Sequence, residues 1–152
     1  MIINIISIGK IKEPYIKDAV LEYKKRLGPY VKIKELELKA ESFGADIKEK
    51  VKKIEGERLL KSLEKYNKEN IFLLDENEKE YSSIGFSRLL ESKDELVFVV
   101  AGSLGWSDDL RQSSFKKISL SKMTFPHELA RLLLFEQIYR GVTIIKGKDY
   151  HY

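Results

Sequence analysis

Three short segments of this chain carry residue types that could hold a ligand, and each follows an apolar run. They are the segment after Leu74, residues 101–105 and residues 120–125. Residues 101–105 read Ala-Gly-Ser-Leu-Gly, and glycine lets a backbone approach a ligand closely and adopt a positive φ. The same pattern occurs in plain connecting turns, so both interpretations stay open at this point. Neither the dinucleotide-binding pattern nor a phosphate-binding P-loop occurs in the sequence.

Residues 120–125 read Leu-Ser-Lys-Met-Thr-Phe and place two apolar side chains in what should be a polar loop before a helix. One interpretation is a helix entry, in which Thr124 caps the helix and Phe125 packs onto the core. The other is a loop whose backbone hydrogen-bonds a base-like ring while Met123 and Phe125 enclose that ring. The residues themselves favour neither interpretation.

Four titratable side chains near these segments are candidates for binding or catalysis. His127 is either a general base or an ordinary neutral histidine, and the second is favoured because a helix N-terminus disfavours imidazolium. Arg140 either binds phosphate or complements the negative end of the last helix. Asp75 and Glu76 are either a carboxylate pair or part of a solvated loop, which the acidic residues that follow them favour.

The last helix predicted from the sequence is apolar nearly all the way round, and it leads to Tyr150, His151 and Tyr152. A helix of this kind needs cover on more than one side, which indicates a core helix or an oligomer interface. Chain ends usually fray, so core packing explains the aromatic tip poorly. We therefore expect the tip to have a functional role.

The composition is that of a globular protein. Of 152 residues, 43% are hydrophobic, which is enough for a single domain over residues 1–152. The apolar stretches are too short to predict a membrane span, and residues 1–9 do not resemble a signal peptide. Cysteine is absent and only two histidines occur, so disulfides, thiolate chemistry and a histidine-based metal site are excluded. We expect a cytoplasmic protein without a metal.

Charge is distributed unevenly along the chain. Residues 111–152 carry 8 Lys or Arg against 3 Asp or Glu, whereas residues 66–110 carry 4 against 10. Such charges most often decorate solvated helix faces, and charge alone favours that interpretation. A basic final third that ends in aromatic residues also fits a polyanion such as RNA.

Apolar periodicity switches repeatedly between strand and helix. Strands are predicted at 2–8, 31–38, 71–74, 95–101 and 117–120, and helices at 14–27, 44–65 and 82–91. A short helix opens at Ser107, a final one has Pro126 in its first turn, and Tyr15 and Ile47 are expected on buried helix faces. This alternation predicts an α/β fold with a mainly parallel sheet and helices on both faces. Ligands bind at the carboxyl ends of such strands, so we expect the three segments to converge on one pocket.

Read together, these segments resemble the ribosomal RNA large subunit methyltransferase H family. The motifs occur in matching order: Val-Val-Ala-Gly-Ser-Leu-Gly at 99–105, Ile-Ser-Leu-Ser-Lys-Met-Thr-Phe-Pro-His at 118–127, Glu-Gln-Ile-Tyr-Arg at 136–140 and Tyr-His at 150–151. Residues 6–10, 22–30 and 55–57 are similar to the family as well, so the resemblance spans the whole chain. The loop before the last helix and the terminal Tyr-His are its most specific parts.

The resemblance implies the SPOUT class, an α/β sheet whose C-terminal segment forms a deep trefoil knot. It also implies a homodimer that uses S-adenosyl-L-methionine to methylate N3 of a pseudouridine in 23S ribosomal RNA on assembled ribosomes. The competing class is a non-enzymatic RNA- or ribosome-binding protein of the same fold. Two residues depart from the family pattern: Ala101 stands where glycine is usual, and Tyr152 where a basic residue is common.

The family's cofactor loops match the three segments, and the resemblance therefore assigns the cofactor to Leu74, Ala101, Gly102, Gly105, Leu120, Ser121, Lys122, Met123, Thr124 and Phe125. The predicted catalytic residues are His151, Tyr150 and Arg140. Because N3 of pseudouridine becomes reactive on losing a proton, we expect His151 or Tyr150 over the target base. Arg140, with Lys146 and Lys148, is expected to contact RNA phosphates, and the tail of one subunit to complete its partner's site.

Overall fold

A computed structural model describes residues 1–42 and 44–152 of the chain. The described strands form one parallel sheet in the order β2-β1-β4-β3-β5. These strands are β1 (Ile2–Ile8), β2 (Lys32–Leu38), β3 (Ile71–Leu74), β4 (Glu95–Val100) and β5 (Lys116–Ile118). The α-helices between and after them are α1 (Pro14–Leu27), α2 (Lys48–Leu63), α3 (Ser83–Glu91), α4 (Asp108–Arg111) and α5 (His127–Ile145). The predicted α/β fold with a parallel sheet is confirmed, and the trefoil knot stays a prediction.

The central strands are mostly apolar because helices cover both faces of the sheet. In β4, Leu96, Phe98 and Val100 belong to one core, whereas Val97 and Val99 belong to the other. Successive side chains of a strand point to opposite faces, so a single apolar run supplies both cores. Helices α1, α3 and α5 pack on the first face, and α2 and α4 on the second.

Serine side chains cap two of the helices where the sequence predicts helix starts. The Oγ of Ser82 accepts a hydrogen bond from the N–H of Gly85 at 3.0 Å, and the Oγ of Ser107 accepts one from Leu110 at 3.4 Å. Ser107 also lies against Gly56 of α2, where an added Cβ would be 2.7 Å from the Cβ of Ser107. Gly56 therefore lets α2 pack closely against the start of α4.

Two details of the predicted helices are wrong. Tyr15 is 70% exposed, because the buried stripe of α1 runs through Ile16, Val20 and Leu27 instead. The long helix predicted at 44–65 is divided into a 3-10 turn at Ala45–Ile47 and α2, and Ile47 is exposed. Such tight turns are frequent at helix starts, and they rotate the first side chains away from the stripe that follows.

Helix α5 starts one residue after Pro126 and continues to Ile145. Arg140, expected to contact RNA, therefore lies within the helix. The buried face of α5 packs mainly on α3 and α1, which makes it a core helix. Its Arg131 is 2% exposed and donates hydrogen bonds to Glu35 and Glu37 of β2 at 3.2 and 2.9 Å. Within residues 1–42 and 44–152, no helix has the length and apolar character to cross a membrane.

Candidate active site

The three segments that follow β3, β4 and β5 lie at one edge of the sheet, where the parallel strands end. Backbone hydrogen bonds join the first of them to the third. The N–H of Asp75 donates to the carbonyl of Ile118, and the N–H of Ser119 donates to the carbonyl of Lys79, both at 2.9 Å. The N–H of Lys122 adds a bond to the Glu80 carboxylate at 3.1 Å. The segments therefore form a connected rim rather than separate loops.

These segments enclose a cavity of about 710 Å³. Its wall combines the end of β3, the turn after β4, the loop before α5 and the first turn of α5. The lining residues are Leu74–Asn77 (residues 74–77), residues 100–106, Arg111, Leu120, Ser121, residues 123–127 and Ala130. Small-molecule sites in proteins have volumes of roughly 300–1,000 Å³, so this cavity has the size of a cofactor site.

The turn after β4 presents backbone to the cavity. Gly105 has φ of +79°, a conformation that L side chains rarely adopt, and its N–H donates to the carbonyl of Gly102 at 3.0 Å. A Cβ on Gly102 would lie 3.0 Å from Cγ2 of Ile8 and 3.1 Å from Oε1 of Glu55. The turn is therefore pressed against β1 and α2, and the space in front of it stays open.

Glu55 supports this turn from behind, although the sequence assigned it no role. The residue is 6% exposed, and its Oε2 accepts a hydrogen bond from the N–H of Glu41 at 3.3 Å. Burial raises the pKa of the Glu55 carboxyl, and the bond from Glu41 opposes that rise. A buried carboxyl thus lies directly beneath the cavity wall.

Trp106 lies in the cavity wall, and the sequence did not predict this role either. It is 4% exposed, and its indole N–H donates to the carbonyl of Leu74 at 3.1 Å. This bond ties the turn after β4 to the end of β3. One feature of the sequence could have indicated this role: the only tryptophan of the chain directly follows the Gly-Ser-Leu-Gly turn.

Polar side chains lie at both ends of the cavity. At one end, Nδ1 of His127 lies 3.3 Å from the hydroxyl of Ser103. Burial lowers the pKa of His127 below its ordinary value, so the imidazole is neutral near pH 7. At the other end, Asp75 accepts hydrogen bonds from the backbone and side-chain nitrogens of Asn77, and Glu76 lines the wall beside it.

The loop at 120–125 does not enter α5 as a capped helix start. The N-cap position belongs to Pro126 and has no side-chain cap bond, so the capping role considered for Thr124 is wrong. Thr124 lines the cavity instead, as does Met123, which is 74% exposed. Lys122 is the one predicted cofactor residue that does not line the cavity, because it is exposed at the loop surface. The cofactor-binding roles themselves stay predictions.

The predicted catalytic residues lie elsewhere, in what we call the tail cluster: Tyr23, Glu136, Tyr139, Arg140, Tyr150 and His151. Arg140 Nε donates to Oε1 of Glu136 at 2.8 Å, and the Tyr150 hydroxyl donates to Oε2 at 2.8 Å. Arg140 Nη1 lies 3.4 Å from Nδ1 of His151 and its guanidinium covers the Tyr150 ring at 4.7 Å. Among the described residues, the tail cluster and the lining of the cavity share no member.

A family model described as a predicted SPOUT methyltransferase matches residues 1–151. The chain belongs to the SPOUT methyltransferase family. It is similar along its full length to proteins named ribosomal RNA large subunit methyltransferase H. That of Caldicellulosiruptor saccharolyticus is 43% identical, and the match covers 98% of this chain and 99% of the relative. Those of Clostridium tetani and Enterococcus faecalis are 43% and 40% identical, with 99% of each chain covered.

Membership of the SPOUT methyltransferase family decides between the two function classes that the sequence left open. The chain is a methyltransferase, and the enzymatic interpretation is supported over a non-enzymatic binding protein. A methyltransferase needs a methyl donor, and the cavity at the strand ends has the size for one.

Proposed function

We propose that this SPOUT methyltransferase uses S-adenosyl-L-methionine to methylate N3 of a pseudouridine in 23S ribosomal RNA, on the ribosome in the cytoplasm. The observation that carries the proposal is the cavity of about 710 Å³ built from the three predicted cofactor segments. The substrate class comes from the relatives, whose name states that they act on ribosomal RNA of the large subunit.

The residues of the cavity fit this cofactor. Leu74, Val100 and Phe125 supply apolar walls for an adenine ring, and the backbone of residues 101–105 supplies hydrogen-bonding groups. Asp75 and Glu76 place carboxylates on the wall, which suits a ligand that carries positive charge and hydroxyl groups. When bound, S-adenosyl-L-methionine supplies a methyl group on a positively charged sulfur.

The departure at Ala101 is compatible with this fit. Among the described residues, positive φ is confined to glycines, so Ala101 has an ordinary backbone conformation and its methyl group causes no strain. Ala101 also packs against the core formed by β1, β3, β4 and α2, so its side chain contributes to the cavity floor.

The tail cluster supplies the groups that act on the RNA. His151 or Tyr150 lies over the target base and accepts or steers the proton of N3, while Arg140, Lys146 and Lys148 contact phosphates. Since the tail cluster is separate from the cavity of its own chain, we propose a homodimer in which the tail of one subunit completes the site of the other.

Mass mapping of 23S ribosomal RNA tests the function in cells. RNA from cells that lack the protein is compared with RNA from cells that express the wild type or the Gly102→Trp variant, whose side chain has no room against Ile8 and Glu55 and must displace the cavity wall. We expect one RNA fragment containing pseudouridine to be heavier by one methyl group only in wild-type cells. Identical fragment masses in all three samples would refute the proposal.

A further inference from the structure

The tail cluster is held together by one carboxylate that sequence reasoning left without a role. After α5, Gly147 has φ of +60°, and the N–H of Lys148 donates to the carbonyl of Thr143 at 2.9 Å. This αL turn sends the chain back along α5. The reversal brings Tyr150 to Glu136, fourteen residues earlier, with the hydroxyl 2.8 Å from Oε2.

Glu136 receives donors on both of its oxygens. Oε1 accepts from Nε and Nη2 of Arg140 at 2.8 and 2.7 Å, and Oε2 accepts from Tyr150. Tyr23 of α1 lies beside this carboxylate: burial, and then the neighbouring Glu136 and Tyr150, raise the pKa of Tyr23. The side chain of Glu136 is 16% exposed, so water competes little for these bonds.

Aromatic packing fixes the same residues from the other side. The rings of Tyr139 and Tyr150 meet edge to face at 4.8 Å, and the rings of Tyr23 and Tyr139 lie 5.9 Å apart. The Glu136 carboxylate and the Tyr150 ring thus both contact the Arg140 guanidinium, and its Nη1 points towards His151.

An ordinary surface ion pair does not have this form. Glu69 and Lys116 are joined at 3.0 Å with side chains 69% and 43% exposed, and exposed pairs contribute little to stability. Glu136 instead binds two guanidinium nitrogens through one oxygen and a hydroxyl through the other, at a largely buried position where charge-assisted bonds are strong. These contacts of Glu136 therefore orient Arg140 and Tyr150 more than they stabilise helix α5.

We propose that Glu136 and Tyr23 are positioning residues that form a clamp, which holds Arg140, Tyr150 and His151 in the orientation needed for methyl transfer. The clamp rests on the proposed function, because its purpose is to present the tail to RNA. It predicts that loosening the tail slows the transfer step and leaves the cofactor cavity unchanged, since misplacing reacting groups by about 1 Å can cost about 10²-fold in rate.

The test combines single-turnover methyl transfer, at saturating cofactor and ribosome, with hydrogen exchange of residues 147–152. Glu136→Gln keeps the shape of the side chain and removes its charge, Tyr23→Phe removes one hydroxyl, and Glu69→Gln is the matched control. We expect Glu136→Gln to slow transfer about 10- to 100-fold and to raise tail exchange, with cofactor affinity unchanged. Tyr23→Phe should act in the same direction and more weakly, and Glu69→Gln should match the wild type.

Two results would overturn the clamp. One is a loosened tail with an undiminished transfer rate, which would show that tail orientation is irrelevant. The other is a slower reaction with unchanged tail exchange, which would show that Glu136 acts on something other than the tail. A wild-type protein that transfers no methyl group refutes the proposed function instead, and the exchange data alone then show whether Glu136 orders the tail.

Discussion

The cavity and the tail cluster are both made from functional candidates, but they satisfy their polar groups in opposite ways. In the cavity, backbone turns and a few side chains face about 710 Å³ of open space. In the tail cluster, the two oxygens of the Glu136 carboxylate already accept hydrogen bonds from Arg140 and Tyr150. The first arrangement suits binding, and the second suits presenting preset side chains to another molecule.

This difference indicates that the cavity and the tail cluster have separate roles. Each role can be tested by changing one region at a time. Removing residues 149–152 deletes Tyr150 and His151 and should have the largest effect. We expect methyl transfer to fall by about 10²-fold or more, because the groups proposed to act on the base are lost. Cofactor affinity, measured by isothermal titration, should stay within about twofold of the wild type. Equal loss of both would contradict separate roles.

The Gly102→Val substitution tests the cavity. Its side chain must displace Ile8 or Glu55, which lie 3.0 and 3.1 Å from the position of the new Cβ. We expect the turn to shift into the cavity and weaken cofactor binding at least about tenfold, or about 1.4 kcal/mol. Gly44→Val is the control, since a Cβ there meets no atom of the described residues within 4 Å, its chain neighbours aside. Unchanged cofactor binding by Gly102→Val would show that this turn does not form the binding wall.

The Trp106→Phe substitution tests the hydrogen bond that joins the turn after β4 to the end of β3. It removes the indole N–H that donates to the carbonyl of Leu74 at 3.1 Å, and it keeps an aromatic ring in place. We expect a loss of about 1 kcal/mol in the free energy of unfolding in urea. Tyr66→Phe is the comparison, because its longer bond to Asn4, at 3.4 Å, lies away from the cavity. Equal stabilities of Trp106→Phe and wild type would mean that the bond contributes nothing.

Two carboxylates with little exposure, Glu136 and Glu55, should give opposite pH dependences of stability. Burial alone would raise the pKa of Glu136, but bonds from Tyr23, Tyr150 and Arg140 outweigh it and lower that pKa. Its contribution is therefore present above the pKa of the unfolded carboxyl and is lost as pH falls through the folded pKa. Urea unfolding of Glu136→Gln should show a deficit at pH 7 that shrinks towards pH 4.

Glu55 has the opposite sign because burial raises its pKa. Its neutral form is favoured in the folded state, so stability falls as pH rises through the folded pKa. Glu55→Gln should therefore be more stable than the wild type at pH 7, and the gain should vanish near pH 4. If both variants were less stable than the wild type at pH 7, the pKa values of Glu136 and Glu55 would not be shifted in opposite directions.

The sequence predicted the parts of the molecule whose signals are local. The apolar run of β4, Pro14 at the start of α1 and the caps Ser82 and Ser107 all lie where expected. The sheet rule placed the segments after β3, β4 and β5 around one cavity because parallel strands end at one edge. The family was recognised from motifs, and the match over residues 1–151 confirms it.

What the sequence missed depends on contacts between residues far apart in the chain. Glu55 lies beneath Gly102, and Trp106 bonds to Leu74, so neither role has a sequence spacing that would reveal it. Tyr15 was assigned to a buried face because its ring is apolar, yet Tyr15 is exposed and its neighbour Ile16 is buried. The role proposed for Glu136 has no clear sequence signal, because an i,i+4 pair with Arg140 resembles ordinary helix stabilisation.

The most direct test of the central claim, that the cavity and the tail act together across a dimer, mixes two inactive subunits. His151→Ala keeps the cavity and loses a tail group, whereas Gly102→Trp keeps the tail and disrupts the cavity wall, because its side chain must displace Ile8 or Glu55. If sites are shared between subunits, random pairing restores methyl transfer to about one quarter of the wild-type sites. No recovery, in a mixture shown by native mass spectrometry to contain heterodimers, would contradict the claim.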